Sequence, residues 1–256
     1  MSKPVILVTN DDGIDAPGLR TLIEIMRKIG NVVVVAPDSA RSGSGHAITF
    51  TRPLRLKLIE KKNNYKEYKC NGTPVDCVKL GELVVLDKKP DLIVSGINHG
   101  SNSAINVIYS GTMAAAIEGA IEGIPAIGFS LLDYSPDADF SATKKYIKNI
   151  TEKVLSFGLP KGVCLNVNFP AVSKNLIKGI KICKQAQAYW DEKFENRKDP
   201  NNQDYYWLSG AFVNYGNGKD TDEWALANNY VSVVPIRFDL TDYKALDYLN
   251  DINFEN

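Results

Sequence analysis

Two adjacent carboxylates follow the first apolar run of the chain, and they are the residues best suited to chemistry. Asp11 and Asp12 are separated from residues 5–9 by Asn10 alone and come directly before Gly13. Successive side chains of a strand point to opposite faces, so both carboxylates reach one ion only where the strand ends and the backbone turns, which glycine permits. A divalent cation would remove the repulsion that otherwise raises the pKa of one carboxyl group. The alternative is that one aspartate caps the following helix and its neighbour is solvated.

A second polar segment, residues 37–46, follows the second apolar run and is rich in glycine and serine. Its hydroxyls and backbone N–H groups are suited to complete the shell of a hard cation or to hold phosphate oxygens, and Arg41 is suited to face an anionic substrate. The alternative is that the segment is simply a flexible loop. His46 has no partner that would make it a metal ligand.

A third polar segment covers residues 95–102 and continues to Tyr109. Asn98 offers a neutral carbonyl oxygen, a suitable ligand where two carboxylates already supply negative charge. Ser110, Gly111 and Thr112 begin a predicted helix, and a helix N-terminus binds phosphate through its free N–H groups and its dipole. Ser110 or Thr112 is also a candidate for the helix cap, and both roles are compatible.

The donors of the three segments are all oxygens, which points to Mg²⁺ or Mn²⁺ as the ion. The sequence has no G-x-x-x-x-G-K-[ST] loop of the kind that binds nucleoside triphosphates. A cation beside a phosphate-binding helix start therefore predicts a hydrolase of monophosphates.

The elements that must position these segments alternate between strand and helix, which is typical of an α/β fold with a mostly parallel sheet. In such a sheet, ligands bind outside the carboxyl ends of the strands, where the three polar segments are expected. A long loop is predicted over residues 97–111. The predicted strands cover residues 5–9, 31–36, 48–59, 65–70, 91–96, 124–131, 163–169 and 231–236, and the predicted helices cover residues 17–29, 73–83, 112–122, 138–157 and 242–249.

The pattern changes after residue 176. Residues 177–190 and 205–213 resemble the two arms of a long hairpin, with a polar projecting stretch at residues 191–204 between them. We therefore expect a single α/β domain over residues 1–256, with a core of about 1–175 and 228–256 and an arm of about 176–227.

Composition narrows the class of partner and compartment. The 256 residues carry 30 basic and 30 acidic side chains, which disfavours a nucleic acid polymer as ligand. The apolar run at residues 5–8 is too short for a signal peptide or a membrane span, so we expect a cytoplasmic protein. The four cysteines lack metal-ligand spacing and are expected to be reduced and packed.

Six separated motifs occur in the order found in the SurE family of metal-dependent nucleotidases, and the chain resembles that family most densely over residues 4–135. The motifs are Asn10-Asp11-Asp12-Gly13, Ala36-Pro37-Asp38, Arg41-Ser42-Gly43, Gly72-Thr73-Pro74-Val75-Asp76-Cys77, Ser95-Gly96-Ile97-Asn98 and Tyr109-Ser110-Gly111-Thr112.

The resemblance implies one divalent cation per subunit, Mg²⁺ or Mn²⁺, and a role for each site residue. The implied metal ligands are Asp11, Asp12, Ser42 and Asn98, and the implied phosphate-binding residues are Asn102, Ser110, Gly111 and Thr112. It further implies a Rossmann-like three-layer core and a homodimer or homotetramer formed through the C-terminal arm. The implied activity is hydrolysis of nucleoside 5'- and 3'-monophosphates, with short polyphosphate as a further substrate. Asp220-Thr221-Asp222 only loosely matches a Gly-Thr-Asp element of the family.

Our hypothesis for the reaction is an in-line displacement at phosphorus, with the cation activating water and Asp11 or Asp12 receiving its proton. Three alternatives remain open. A haloacid-dehalogenase-type phosphatase would need D-x-D, which Asp11-Asp12-Gly13 lacks. A phospho-acceptor domain would need an acceptor aspartate at the end of its third strand, and a nucleotide-binding module would bind without turnover.

Overall fold

The computed structural model describes residues 3–252 and residue 254. Within these residues, nine strands form one sheet and two more form a separate ribbon. The strands are β1 (Val5–Thr9), β2 (Asn31–Pro37), β3 (Leu56–Lys62), β4 (Tyr65–Cys70), β5 (Leu92–His99), β6 (Ala126–Leu131), β7 (Val163–Phe169), β8 (Gly179–Ile182), β9 (Ala188–Lys198), β10 (Asp204–Asn214) and β11 (Tyr230–Arg237). The α-helices are α1 (Pro17–Met26), α2 (Pro74–Leu80), α3 (Asn106–Tyr109), α4 (Gly111–Ile121), α5 (Lys144–Phe157), α6 (Asp222–Ala227) and α7 (Tyr243–Asn250).

The sheet order is β3-β4-β2-β1-β5-β6-β7-β11-β8, with β1 near its centre. Strand β1 pairs in parallel with β2 on one side and with β5 on the other. The chain builds the sheet outward from β1 first in one direction and then in the other. The carboxyl end of β1 therefore lies where the strand order reverses, the usual place for a ligand in such sheets.

Helices cover both faces of the sheet, which gives three layers. Helices α1 and α5 pack on one face, and α2 and α4 pack on the other. Alternate residues of β1 point to the two faces: Ile6 and Val8 join the cluster around α1, whereas Leu7 joins the cluster around α2 and α4. All three side chains are fully buried. Burial on both faces explains the unbroken apolar run of this strand and confirms the predicted α/β class.

The predicted strand over residues 48–59 is wrong in its first half, because β3 begins only at Leu56. The backbone N–H of Thr49 is bonded to the Asp76 carboxylate, and that of Arg55 to the side chain of Asn71. Side chains therefore bind two of the backbone N–H groups of this stretch, and among the described residues no strand pairs with it. The expected antiparallel pairing of β3 with β4 is confirmed.

The loop predicted over residues 97–111 is also shorter than expected. Strand β5 continues to His99, because Asn98 pairs with Ser130 of β6 beyond an irregularity in the register. The four residues of α3 occupy the end of the predicted loop. Pairing between residues 32 positions apart extends this strand through a segment that looks irregular in the sequence.

The C-terminal hairpin is present, but it differs from the predicted arm. Strands β9 and β10 pair along their whole length from Ala188–Asn214 to Lys198–Asp204. The stretch 191–204, predicted to project as a loop, is therefore mostly strand with a short turn. Strand β8 does not belong to the hairpin, since it pairs with β11 at the edge of the main sheet. We call residues 188–214 the hairpin arm.

Two further expectations concern the cysteines and membrane-spanning helices. All four cysteines are free and buried, as expected of packed thiols. Among the residues that the structure describes, no helix has the length and apolar character needed to cross a membrane.

Candidate metal and phosphate site

The turn after β1 brings Asp11 and Asp12 to the carboxyl edge of the sheet. Asn10, fully buried, donates from Nδ2 to the carbonyl oxygen of Gly13 at 2.9 Å. Gly13 has φ of +100°, and a Cβ there would lie 3.3 Å from the backbone of Ser39. A side chain is disfavoured at this position both by backbone conformation and by the neighbouring loop.

The alternative role of Asp11 or Asp12 as a helix cap is wrong. Helix α1 starts at Pro17, the residue before it is Ala16, and no side chain caps this helix end. The proline replaces an N–H that would lack an intrahelical partner. The two carboxylates are therefore not used to stabilise α1.

Backbone hydrogen bonds hold the other two polar segments against this turn. The N–H of Arg41 donates to the carbonyl oxygen of Asp11 at 2.7 Å. The N–H of His99 donates to Oδ2 of Asp12 at 3.3 Å. Segments that are far apart in the sequence thus meet at one edge of the sheet, as predicted.

The Asp11 carboxyl group lies in surroundings that disfavour its charge. Asp11 is only 3% exposed. Burial, and then the charge of Asp12, raises the pKa of Asp11 to about 6, against a hydrogen bond donated by the hydroxyl of Thr112. Burial also raises the pKa of Asp12, against the N–H of His99. In the described part of the chain, neither carboxylate forms an ion pair with a lysine or arginine.

The start of helix α4 packs directly on Asp11. A Cβ placed on Gly111 would lie 2.8 Å from the Cβ of Asp11 and 3.0 Å from Oγ of Ser44. Only glycine allows this approach without displacing its neighbours. Oγ of Ser44 is buried and has no hydrogen-bond partner among residues 3–252 and 254, so it is an unused oxygen near the carboxylate. Sequence reasoning considered the hydroxyls of this loop together and did not single out Ser44.

Ser110 caps helix α4, since its Oγ accepts a hydrogen bond from the N–H of Met113 at 3.0 Å. The first N–H groups of a helix have no intrahelical partner, so that of Gly111 is available to a ligand, whereas that of Thr112 faces the Asp11 carboxylate. Both roles expected of this helix start are thus compatible with the geometry.

The remaining predicted ligands are placed less directly. Asn98 lies beside His99 at the end of β5, and its Nδ2 donates to the carbonyl oxygen of Gly100 at 3.0 Å. Ser42 follows Arg41 in the loop held on Asp11, and it is exposed. The structure shows no hydrogen bond between Asp11 or Asp12 and either of these side chains.

Asn102 belongs to a buried amide network that the sequence analysis missed. Its Nδ2 donates to Oγ of Ser130 at 2.7 Å, and its N–H donates to Oδ1 of Asn168 at 2.8 Å. Asn166 donates from Nδ2 to the Asn102 carbonyl oxygen at 2.7 Å. Polar residues within two otherwise buried strands, β6 and β7, were the signal in the sequence that could have identified this network.

Two basic side chains of the second loop have structural partners. Nη2 of Arg41 lies 3.3 Å from Oδ1 of Asp38 and 3.2 Å from the Asn71 carbonyl oxygen. The expectation that Arg41 faces the substrate stays a prediction. Nε2 of His46 lies 2.8 Å from the carboxylate of Glu118 on α4.

The donor set fits a hard divalent cation. Among the described residues, no three His, Cys, Asp or Glu side chains are grouped as a metal site. The expected set contains only two carboxylates, with an amide and hydroxyls supplying the other oxygens. Two carboxylates without a cationic partner in the described chain, and the Ser44 hydroxyl without a hydrogen-bond partner there, are consistent with that chemistry.

Comparison with known proteins gave one family and many relatives. The model of the family described as Survival protein SurE matches residues 6–192. A protein of Flavobacterium psychrophilum named 5'-nucleotidase SurE is 62% identical over 252 residues, which are 98% of each chain. Its namesake from Christiangramia forsetii is 63% identical over 241 residues, 93% of each chain. The crystal structure of the SurE protein from Aquifex aeolicus superposes with a TM-score of 0.82 at 42% identity, covering 97% of this chain and 100% of that one.

Proposed function

Because the chain belongs to the SurE family, we propose that it is a 5'-nucleotidase that releases phosphate from nucleoside 5'-monophosphates. Relatives about 60% identical over nearly the whole chain carry that name. The proposal extends to a divalent cation, Mg²⁺ or Mn²⁺, and to nucleoside 3'-monophosphates and short polyphosphate as further substrates.

The observation that carries the proposal is the pair Asp11 and Asp12 beside the N-terminus of helix α4. The pair has negative charge that no lysine or arginine of the described chain neutralises, and the helix start has N–H groups that attract an anion. A cation would neutralise the two carboxylates, and a phosphate group would accept hydrogen bonds from the N–H groups at the helix start.

We assign cation binding to Asp11 and Asp12, with Asn98 and Ser42 as neutral ligands. When bound, the cation would lower the pKa of water and neutralise charge that develops on the phosphate. The Thr112 hydroxyl fixes the orientation of the Asp11 carboxylate by donating to Oδ1.

We assign phosphate binding to Asn102, Ser110, Gly111 and Thr112. The N–H groups at the start of α4 would hold the phosphate oxygens and keep the phosphorus in line for attack. Asp12 is only half-buried, whereas Asp11 is 3% exposed. We therefore assign acceptance of the proton from water to Asp12.

The test is phosphate release from a panel of nucleoside 5'- and 3'-monophosphates and short polyphosphate, with Mg²⁺, Mn²⁺ or EDTA. We expect release by the wild type to require a divalent cation. Asp12→Asn keeps the size of the side chain but removes its charge, and we expect kcat/KM to fall by at least 10²-fold, as for loss of a principal electrostatic group.

Asp15→Asn is the matched control, because Asp15 is an exposed carboxylate three residues away. Its kcat/KM should stay within twofold of wild type. Full turnover by Asp12→Asn, or equal turnover in EDTA, would refute the assigned role of the carboxylates.

The other functions considered from the sequence are less favoured. Position 13 is a glycine with φ of +100° against Ser39, so the second aspartate of D-x-D has no place there. The residues at the end of β5 are Ile97, Asn98 and His99, and none of them is an acceptor aspartate. The names of the relatives favour an enzyme over a module that binds nucleotides without turnover.

We also propose that the protein is a cytoplasmic homodimer or homotetramer joined through the hairpin arm. Residues directly opposite each other in a ribbon share a face, and Phe194 lies opposite Leu208. These side chains are 69% and 56% exposed. An isolated two-stranded ribbon has marginal stability in water, so a partner that covers these two side chains would stabilise the ribbon.

A further inference from the structure

A buried carboxylate outside the proposed site, that of Asp222, is bound by three backbone N–H groups. Asp222 is the first residue of α6 and is 1% exposed. Its Oδ1 accepts from the N–H of Ala186 at 2.9 Å and from that of Glu223 at 2.8 Å, and its Oδ2 accepts from the N–H of Ala104 at 2.9 Å. These donors lie in three different segments, so the carboxylate joins them.

The first segment is the loop that carries Asn102, the proposed phosphate ligand. Ala104 follows Asn102 by two residues, is 1% exposed, and has φ of +50°, a conformation that alanine rarely adopts. Such a conformation persists only when surrounding contacts hold it. The hydrogen bond to Asp222 is one of those contacts.

The second segment is the chain that leads into the hairpin arm. Ala186 stands two residues before the start of β9, and Ala104, Ala186 and Ala188 form a small buried cluster with Phe212 of β10. The Ile105 N–H donates to the Ala188 carbonyl oxygen at 3.3 Å. The base of the arm therefore packs against the loop itself.

Two side-chain contacts run in parallel with these bonds. The Ser103 hydroxyl donates to the Glu223 carboxylate, which is the neighbour of Asp222 on α6. Nε1 of Trp190 in the arm donates to Oδ1 of Asn106 at 2.8 Å. Both ends of the short loop from Asn102 to Asn106 are thus held from the C-terminal part of the chain.

We propose that Asp222 is a positioning residue for phosphate binding: its carboxylate fixes the loop of Asn102 to the base of the hairpin arm. The placement of Asn102 then depends on the arm as well as on the Ser130, Asn166 and Asn168 network on its other side. This inference rests on the proposed role of Asn102, and it adds a residue that does not touch the substrate.

The decisive variant is Asp222→Asn. An asparagine keeps one acceptor oxygen, but its NH₂ group would face one of the three N–H donors, so at least one segment is released. We expect hydrogen–deuterium exchange of residues 100–107 to quicken while that of residues 5–14 stays unchanged. Binding of inorganic phosphate in the presence of Mg²⁺, measured by calorimetry, should weaken at least fivefold.

With a nucleoside 5'-monophosphate as substrate, kcat/KM should fall at least tenfold, because a small misplacement of a binding group is costly. The drop should appear mainly in KM. The matched control is Asp220→Asn, since Asp220 is an exposed carboxylate on the same segment that pairs with Lys184 at 2.9 Å. Its exchange, phosphate binding and kinetics should match the wild type.

Ser103→Ala guards against a failure of Asp222→Asn to fold, because it removes the link to Glu223 and the contact with the Ser101 hydroxyl but leaves the bonds of Asp222 in place. It should move the same readouts in the same direction by a smaller factor. Unchanged exchange over residues 100–107, or quickened exchange with unchanged phosphate binding, would overturn the proposal. Exchange and phosphate binding do not require turnover, so they decide it even if the wild type releases no phosphate and the proposed function fails.

Discussion

At the scale of single residues, the site is defined by charge that the fold leaves uncompensated. Asp11 is buried beneath helix α4 and has Asp12 as its neighbour, yet the described residues offer its carboxylate only neutral donors, which are the hydroxyl and N–H of Thr112 and its own N–H. A neutral hydrogen bond offsets little of the cost of burying a carboxylate. The metal-free fold is therefore destabilised locally in a way that a cation would relieve.

This predicts a dependence of stability on pH for the metal-free protein. The pKa of Asp11 is about 6 in the fold and 3.8 as its ordinary value. Below pH 3.8 the Asp11 carboxyl group is protonated in both the folded and the unfolded state, so the cost of burying its charge is absent. Above pH 6 it is ionised in both states, so this cost is fully present. Because the pKa of this acid is raised in the fold, the free energy of unfolding should fall as pH rises from about 4 to 6. The expected loss is about 3 kcal/mol, at about 1.4 kcal/mol per pH unit.

Thermal unfolding in EDTA checks the prediction. Asp11→Asn keeps an acceptor for Thr112, and it should raise Tm relative to wild type at pH 7.5 but not at pH 4. Mg²⁺ or Mn²⁺ should raise the Tm of the wild type more at pH 7.5 than at pH 5, and should have little effect on the variant. An equal response at both pH values would contradict the account.

At the scale of elements, helix α4 also organises the loop that lies across the site. Glu118 on this helix is 3% exposed and binds both His46 of the second loop and Lys79 of α2. Burial opposes ionisation of Glu118, but the hydrogen bonds from His46 and Lys79 outweigh it and lower its pKa. The carboxylate joins two helices and the loop that carries Ser42 and Ser44.

We expect Glu118→Gln to lower the free energy of unfolding by about 2 kcal/mol at pH 7, because the contacts with His46 and Lys79 lose the negative charge of the carboxylate. A lowered pKa means that this stabilisation is present above pH 4.5 and is lost as pH falls further, so the difference from wild type should narrow in acid. Urea unfolding at pH 7 and pH 4 measures both effects. Glu122→Gln is the control one turn later on the helix, where the carboxylate pairs with Lys89 at 3.5 Å at the surface, and it should cost less than about 0.5 kcal/mol.

The strands and helices that sequence predicted best are those defined by local patterns. Strands β1 and β7 have the predicted bounds because β1 is a buried apolar run that ends at polar residues and β7 is a mostly buried strand that ends before Pro170. The errors occurred where distant residues decide the structure. Asn98 extends β5 through pairing with Ser130, and the segment before β3 is held by Asp76 and Asn71 instead of by another strand.

The same distinction separates the site residues that were predicted from those that were missed. Asp11 and Asp12 stand out because they adjoin each other at a strand end. Asn168 and Asp222 act through backbone groups 66 and 118 positions away, and nothing near them in the sequence identifies those partners. Their roles follow only from the folded arrangement.

At the scale of the whole molecule, the hairpin arm is the part least supported by the rest of the chain. Phe194 and Leu208 share a face of the ribbon, whereas Lys193 and Ser209 lie opposite each other on the other face. Tyr205 and Trp207 lie on the same face as Lys193, so exposed aromatic and charged side chains occur on both faces of the arm. Phe194 and Leu208 are an exposed apolar pair on one of these faces, and association of copies through that face would bury the pair.

We expect the wild type to have a mass in light scattering of at least twice the chain mass of 28.2 kDa. The double variant Phe194→Ser, Leu208→Ser should shift the protein toward the monomer, because both apolar contacts are lost. Lys193→Ser on the opposite face is the control and should leave the mass unchanged. A monomeric wild type would rule out the arm as an assembly surface.

The two strands of the arm begin and end side by side, because Ala188 and Asn214 are paired where the ribbon leaves the rest of the chain. The chain exits and returns at neighbouring positions, so cross-strand pairs can be added or removed at the tip without altering the sheet. Natural variation in arm length would thus leave the sheet edge that carries Asp11 and Asp12 intact, while it would change the surface that the arm offers for association between copies. Grafting the distal ribbon of one relative onto another, with the alanines at its base retained, is accordingly a route to new assemblies that preserve the chemistry.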